Sequence, residues 1–142
     1  NQRRYEENGT TVLVTGPDPA IKMGHKVIRG TPEKLLSQLT DENANADPMY
    51  VEDFLLTHRT FMKTSLEVAE RLLDWFHEGH LCDRVTRVLL LWVHNHFTDF
   101  EMDPLMMEFL EQFEMALESR KMNGQLRLLN FTCAEKVRII IC

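Results

Sequence analysis

The chain has 142 residues, of which 44% are hydrophobic and 27% are charged, which is an ordinary composition for one globular domain. Its net charge is −6, which does not favour the basic surface that nucleic acids and anionic lipid headgroups require. The longest apolar run, residues 88–93, is far too short to span a bilayer, so we expect neither nucleic-acid binding nor direct membrane insertion.

The first 29 residues differ from the rest of the chain. Residues 11–15 and 26–29 are two short β-prone runs, and a Gly-Pro-Asp-Pro stretch at 16–19 interrupts the sequence between them. We predict that the two runs form a small hairpin-like pair. This extension precedes the helical part of the chain.

From Gly30 onward the pattern is helical. A capping residue stands directly before a proline three times, in Thr31-Pro32, Asp47-Pro48 and Asp103-Pro104. The cap oxygen accepts a backbone N–H that would lack a partner, and proline at the first helical position has no N–H to satisfy. A capping box formed by Thr64 and Glu67 marks a further helix start.

These signals and the apolar periodicity predict five helices, at residues 31–39, 48–59, 64–78, 83–97 and 104–122. The centre of the fourth, residues 88–93, is apolar all round and is expected in the middle of the bundle. Gly79 suits the end of the third helix, and Asn123-Gly124 the end of the fifth. The fold class is therefore all-α, a bundle of about five helices with a short β-prone N-terminal extension.

We divide the chain into an extension at residues 1–29, a helical domain at 30–125 and a tail at 126–142. The tail is either a short helix packed on the bundle or the start of a linker to the next domain. The absence of an initial Met and the apolar C-terminal stretch suggest a piece of a longer protein.

No arrangement of residues indicates catalysis or a bound cofactor. Residues 16–26 contain Gly16, Gly24 and Lys26, but these residues do not have the spacing of a phosphate-binding loop. A zinc site is a weaker alternative to a structural role for the histidine and cysteine cluster, which comprises His77, His80, Cys82, His94 and His96. We expect no metal, no cofactor and no enzymatic activity.

Cysteine usage favours a reducing, cytoplasmic location. The cysteines Cys82, Cys133 and Cys142 form an odd, sparse set that is not a disulfide framework. Two glycosylation acceptor patterns, at residues 8–10 and 130–132, point the other way, but the pattern is short and arises often by chance. Other domains of a parent protein would supply any peripheral attachment to membranes.

Four separated motifs resemble one known family. They are Gly-Thr-Pro-Glu-Lys-Leu-Leu at 30–36, Tyr-Val-Glu-Asp-Phe-Leu-Leu-Thr-His-Arg-Thr-Phe at 50–61, the Trp92-containing stretch at 89–100, and Phe-Leu-Glu-Gln-Phe at 109–113. In this order they are similar to the Ras exchanger motif domain, the N-terminal module of Ras-type guanine nucleotide exchange factors. The resemblance covers about residues 27–125, and His58 stands where the family commonly has Tyr.

The stretches at 120–130 and 133–136 resemble exchange factors that act on Rap, particularly those with cyclic-nucleotide-binding-like and PDZ domains. In the family, a separate helical domain of the same protein releases the nucleotide through a helical hairpin, and the N-terminal module packs against that hairpin. The resemblance therefore implies a non-catalytic, monomeric module that braces the catalytic domain and meets the GTPase only indirectly.

The family motifs identify the residues expected to be structural: Thr31, Asp53, Phe54, Thr57, Arg59, Thr60, Phe61, Trp92, Phe97 and Phe100. A bracing module should also present an apolar patch beyond its own core. The candidates for this interdomain contact are Phe54, Phe61, Met62 and Phe100, with burial in the module's own core as the alternative. The rival function is a free-standing module that binds a small GTPase or an adaptor directly.

Overall fold

The computed structural model describes residues 2–7, 10–15, 18–23, 26–41, 48–79 and 81–141. The chain divides into two compact units, Asn1–Val68 and Ala69–Cys142. Several residues that carry sequence-based interpretations lie outside the described ranges, namely Asn8, Gly16, Gly24, Asp47, His80 and Cys142.

The N-terminal extension forms a four-stranded antiparallel sheet in the order β1-β2-β3-β4. Its strands are β1 (Gln2–Glu7), β2 (Thr10–Thr15), β3 (Asp18–Met23) and β4 (Lys26–Arg29). The predicted direct pairing of residues 11–15 with 26–29 is wrong, because β3 lies between them and pairs with both. Pro19 suggested a break, but it stands next to the start of β3, where a missing N–H is tolerated.

Two helices complete the first unit, α1 (Pro32–Ser37) and α2 (Pro48–Thr57), and each continues into a short 3₁₀ turn, Gln38–Thr40 and His58–Thr60. The predicted cap of the first helix is confirmed, since the Thr31 hydroxyl oxygen accepts the Lys34 N–H at 3.2 Å. Both helices contact β3, and α2 also contacts β2. Ala20 of β3 is buried, as expected for the sheet face that the helices cover.

The remaining helices are α3 (Ser65–Glu78), α4 (Cys82–Asn95), α5 (Thr98–Glu101), α6 (Pro104–Ser119) and α7 (Asn123–Ile141). The predicted caps are confirmed: Thr64 accepts the Glu67 N–H at 3.1 Å, and Asp103 accepts the Leu105 N–H at 3.0 Å. Helix α7 contacts α4 and α6, and α5 contacts α6. The described helical part is all-α as predicted, with seven helices instead of about five.

Two boundaries differ from the prediction. The helix predicted over 83–97 ends at Asn95, because His96 leaves the helical conformation (φ −137°, ψ 48°) before α5 begins. Asn123 begins α7 instead of ending the preceding helix, and Lys121, with φ 59°, makes the turn between α6 and α7. Asparagine favours helix starts as well as helix ends. The prediction that Asn123-Gly124 ends the fifth helix is therefore wrong.

The C-terminal end of α3 is held by two features of the second unit. Gly79 has φ 98°, a left-handed conformation that residues with a Cβ disfavour. The Arg120 guanidinium donates a hydrogen bond to the His77 carbonyl at 3.0 Å and lies 5.5 Å from the Phe76 ring centroid. These contacts join the end of α3 to the turn after α6.

We expect Gly79→Ala to lower the free energy of unfolding by about 1–2 kcal/mol, because the added Cβ is strained at this φ. Gly124→Ala is the matched control: Gly124 lies in α7, and a Cβ there meets no atom within 4 Å. Helix propensity predicts that this control is neutral or stabilising by up to about 1 kcal/mol. Urea unfolding of both variants measures the difference, and equal effects would contradict the assignment of Gly79 as the helix cap.

Candidate interaction surfaces

The aromatic residues of the motif at 50–61 form the core at the end of α2. Phe54 is fully buried and stacks on the His58 ring, with centroids 6.1 Å apart and planes 10° apart. Phe61 meets the Phe54 ring edge-on at 5.4 Å. Tyr50 donates its phenolic hydrogen to the Leu35 carbonyl at 2.6 Å, and burial raises the pKa of the Tyr50 phenol.

Threonine hydroxyls hold the turn that follows α2. Thr57 donates to the Asp53 backbone carbonyl at 2.6 Å, and Thr60 donates to the Thr57 carbonyl at 2.7 Å. Asp53 contributes its backbone oxygen to this arrangement. Arg59 is exposed. The hydroxyl-to-carbonyl bonds explain why two threonines stand at this spacing where a helix ends.

His58 has both ring nitrogens engaged inside the first unit. Its Nδ1 lies 2.7 Å from the Leu55 carbonyl oxygen, and its Nε2 lies 2.8 Å from the Ser65 hydroxyl. A carbonyl only accepts, so Nδ1 donates, and in the neutral ring Nε2 accepts from Ser65. This Ser–His pair resembles part of a hydrolase site, but both side chains are buried, so the arrangement serves structure and not attack on a substrate.

A second polar contact lies at the break between α4 and α5. The Trp92 indole N–H donates to the Asp99 carboxylate at 2.8 Å, and both residues are buried. Phe100 packs edge-on against the Trp92 ring at 5.2 Å, and Phe97 is 8% exposed. The motif residues Trp92 and Phe100 are thus joined in one cluster, and Asp99 is a polar partner that the predicted structural residues do not include.

The candidates for an interdomain contact have different exposures. Phe54 and Phe100 are completely buried in the chain's own core, and Met62 is 8% exposed. Phe61 is half-buried. Completely buried side chains cannot form a surface patch. Phe54 and Phe100 are therefore residues of the chain's own core and not interdomain contacts. An interdomain contact at this end of α2 stays a proposal that depends on Phe61.

The cysteines and histidines in the described part of the chain belong to no group of three potential metal ligands. The Cys82 thiol donates to the Phe76 carbonyl at 3.2 Å. Burial raises the pKa of the Cys133 thiol, and the Glu114 carboxylate raises this pKa further. Within the same described residues, no helix is long and apolar enough to cross a bilayer.

An open cleft between α4 and α7 was not predicted. It has a volume of about 290 Å³, and its lining consists of Arg87, Leu90, Leu91, His94, Leu128 and Thr132. The α4 residues follow the spacing i, i+3, i+4, i+7 and therefore share one face of the helix. The prediction that residues 88–93 lie in the middle of the bundle is wrong for this face, because Leu90 and Leu91 are only half-buried.

Comparison with known proteins identifies the family. The family model of the RasGEF N-terminal motif matches residues 26–113. The chain is 50% identical over 142 residues to Rap guanine nucleotide exchange factor 6 of Homo sapiens, and 47% identical over 116 residues to the Rap guanine nucleotide exchange factor of Caenorhabditis elegans. It is 37% identical over 82 residues to Ras guanine nucleotide exchange factor C of Dictyostelium discoideum.

The chain belongs to the RasGEF N-terminal motif family. The alignments cover 97%, 81% and 56% of this chain but only 9%, 8% and 6% of those three relatives. The chain therefore corresponds to a small part of the curated relatives that it matches. The family assignment from the motifs is confirmed.

We expect Asp99→Ala to lower the free energy of unfolding by about 1.5–3 kcal/mol, because it removes a buried hydrogen bond to a charged acceptor. Asp99→Asn retains an acceptor oxygen and should cost less. The matched control is Glu101→Ala, whose side chain is exposed and whose loss should change stability by less than about 0.5 kcal/mol. Urea unfolding followed by tryptophan fluorescence makes the comparison, and equal losses for the two alanine variants would contradict a structural role for Asp99.

We expect Ser65→Ala to destabilise the chain by about 1–3 kcal/mol, because it leaves the buried His58 Nε2 without its hydroxyl partner. Ser37→Ala is the control, since Ser37 is exposed and bonds only to a backbone carbonyl of its own helix; it should change stability by less than about 0.5 kcal/mol. Thermal unfolding by circular dichroism tests the pair. A Ser65 variant as stable as the control would show that the His58–Ser65 hydrogen bond makes no net contribution to the free energy of unfolding.

Proposed function

We propose that this chain is a non-catalytic structural and regulatory module of a guanine nucleotide exchange factor for a Ras-family GTPase of the Rap type. It braces a separate catalytic domain of the same parent protein. The observation that carries the proposal is the family match over residues 26–113, together with relatives named as Rap and Ras exchange factors. The preference for Rap comes from the two relatives with the higher identities.

The placement of the motif residues supports a scaffold in which the side chains serve packing. The aromatic motif residues Phe54, Trp92 and Phe100 are completely buried, and the polar groups beside them are matched with hydrogen-bond partners inside the chain. A side chain that must touch a substrate needs access to it, whereas these side chains fix helix ends. The chain therefore supplies rigidity, and the exchange reaction belongs to the catalytic domain.

The proposed partners and location follow from this role. The module contacts the catalytic domain of its own parent and meets the GTPase only indirectly, it needs no cofactor or metal, and it is a monomer. We place it in the cytoplasm, with any membrane association provided by other parts of the parent. Phe61 is the main candidate for the interdomain contact, because it is half-buried just after the turn that follows α2, whereas Met62 is only 8% exposed.

The second candidate function is direct binding of a GTPase or an adaptor. The cleft between α4 and α7 favours it, because half-buried leucines line an opening at the surface. In that case the isolated chain would bind a partner with saturable affinity. A bracing module would bind no isolated GTPase in either nucleotide state.

The test of the proposed function is nucleotide release from Rap and from Ras, each loaded with a fluorescent guanine nucleotide. We compare the full-length parent protein, the parent without these 142 residues and the 142-residue chain alone. The chain alone should leave the release rate unchanged, and its removal from the parent should slow or destabilise exchange. Acceleration by the chain alone would contradict a non-catalytic module, and an unchanged parent after removal would contradict bracing.

A further inference from the structure

Two exposed apolar side chains lie on α7, the helix that forms one wall of the cleft between α4 and α7. Leu128 is 53% exposed and Phe131 is 67% exposed, and they stand one turn apart on α7. Both side chains therefore point to the same side of that helix. Large apolar side chains that cluster beside an open cleft mark an interaction site more often than isolated ones do.

A second cavity of about 300 Å³ adjoins the first, and the two share His94 in their linings. The second is lined on the α7 side by Lys136 and on the other side by residues that include His96 and Glu101. The two cavities are neighbours, with leucines in the lining of the first and mainly polar groups in the lining of the second. We call the pair of cavities the α4–α7 groove.

The charge of the α4–α7 groove is opposite to that of the chain. Among the described residues that line it, the cationic side chains Arg87 and Lys136 outnumber the one carboxylate, Glu101. The whole chain carries a net charge of −6. A cationic rim on an acidic domain steers an anionic partner to this place and repels cationic ones.

We propose that the α4–α7 groove binds an amphipathic helix that places leucine-type side chains on Leu90, Leu91 and Leu128 and directs carboxylates to Arg87 and Lys136. An apolar groove between two helices accepts the apolar face of a third. The occupant is acidic because the rim is cationic. This binding goes beyond the bracing role, and it specifies the chemistry of a partner in the cleft that the second candidate function also uses.

The dimensions of the groove fix the register of the partner. From Leu128 to Lys136 the groove follows eight residues of α7, which is about 12 Å at the rise of an α-helix. A partner helix therefore needs apolar anchors at i, i+3 or i+4, and i+7, with carboxylates on the flank that faces Arg87. A single exposed turn would be too short to reach both ends of the groove.

The test uses synthetic fluorescein-labelled peptides and the 142-residue chain in a fluorescence-anisotropy titration. The first probe is a helix of about 18 residues, long enough to be helical when alanine-rich, with leucine at the anchor positions and glutamate on the flanks. The second probe has lysine in place of each glutamate. The third retains the glutamates and has alanine in place of each leucine.

The groove variants are Leu128→Asp and Arg87→Glu. Each has a control of the same chemical change on an exposed residue outside the groove lining: Met115→Asp on α6 and Arg127→Glu on α7. All four replaced side chains are exposed, so the fold should tolerate each change, and circular dichroism verifies that helicity is retained.

We expect the glutamate peptide to bind and the other two peptides to bind at least about 10-fold more weakly. Loss of the leucine anchors or of the charge match is sufficient for a difference of this size. Leu128→Asp and Arg87→Glu should each weaken binding by about 5-fold or more, and the controls by less than about 2-fold. An ionic strength of about 1 M should weaken the binding of the glutamate peptide, because the Debye length falls to about 3 Å and the charges are screened.

Three results would overturn the proposal. The first is no saturable binding of the glutamate peptide to the chain. The second is equal binding of the glutamate and lysine peptides, which would remove the charge match. The third is a concentration-dependent dimer in sedimentation experiments that Leu128→Asp abolishes, since the occupant of the groove would then be a second copy of the chain.

Discussion

The hydrogen bond from the Trp92 indole to the Asp99 carboxylate is the constraint on which the second unit depends most. Trp92 is the largest of the fully buried side chains, and a buried indole N–H or carboxylate without a partner carries a desolvation penalty. The bond crosses the break at His96, so the backbone must turn there before it re-enters a helix. The same turn brings Phe100 against the Trp92 ring, and α6 begins three residues after α5 ends.

The end of α2 in the first unit follows the same design with different chemistry. His58 takes the place of the indole, the Ser65 hydroxyl and the Leu55 carbonyl are its partners, and Phe54 stacks on its ring. In both places an aromatic ring with a polar edge is buried at a helix end and is matched by a side chain seven residues later. Such matched polar groups specify one conformation at a helix end, whereas apolar packing alone tolerates alternatives. The proposed bracing of another domain requires this rigidity at the helix ends.

The sequence predicted those parts of the fold that local chemistry determines. The caps at Thr31, Thr64 and Asp103 were readable because a hydroxyl or carboxylate satisfies the first backbone N–H groups regardless of the rest of the chain. Three other features could not be predicted, because each depends on a distant partner. They are the order of the strands, the break at His96 and the half-exposed face of α4. For example, the partial burial of Leu90 depends on where α7 lies, and an apolar run looks the same whether one face or every face is covered. The sequence offered Phe54 and Phe100 either as contact residues or as core residues, and only their complete burial in the structure decides for the core.

The central claim is that this module acts on the catalytic domain and not on the GTPase. Hydrogen–deuterium exchange followed by mass spectrometry tests it most directly, with the full-length parent, the parent without these residues, and the isolated chain mixed with Rap. The account predicts that removing the module raises amide exchange in helices of the catalytic domain, and that Rap shows no protection when mixed with the chain alone. Protection of Rap by the isolated chain, with a catalytic domain whose exchange is the same in both forms of the parent, would contradict the account.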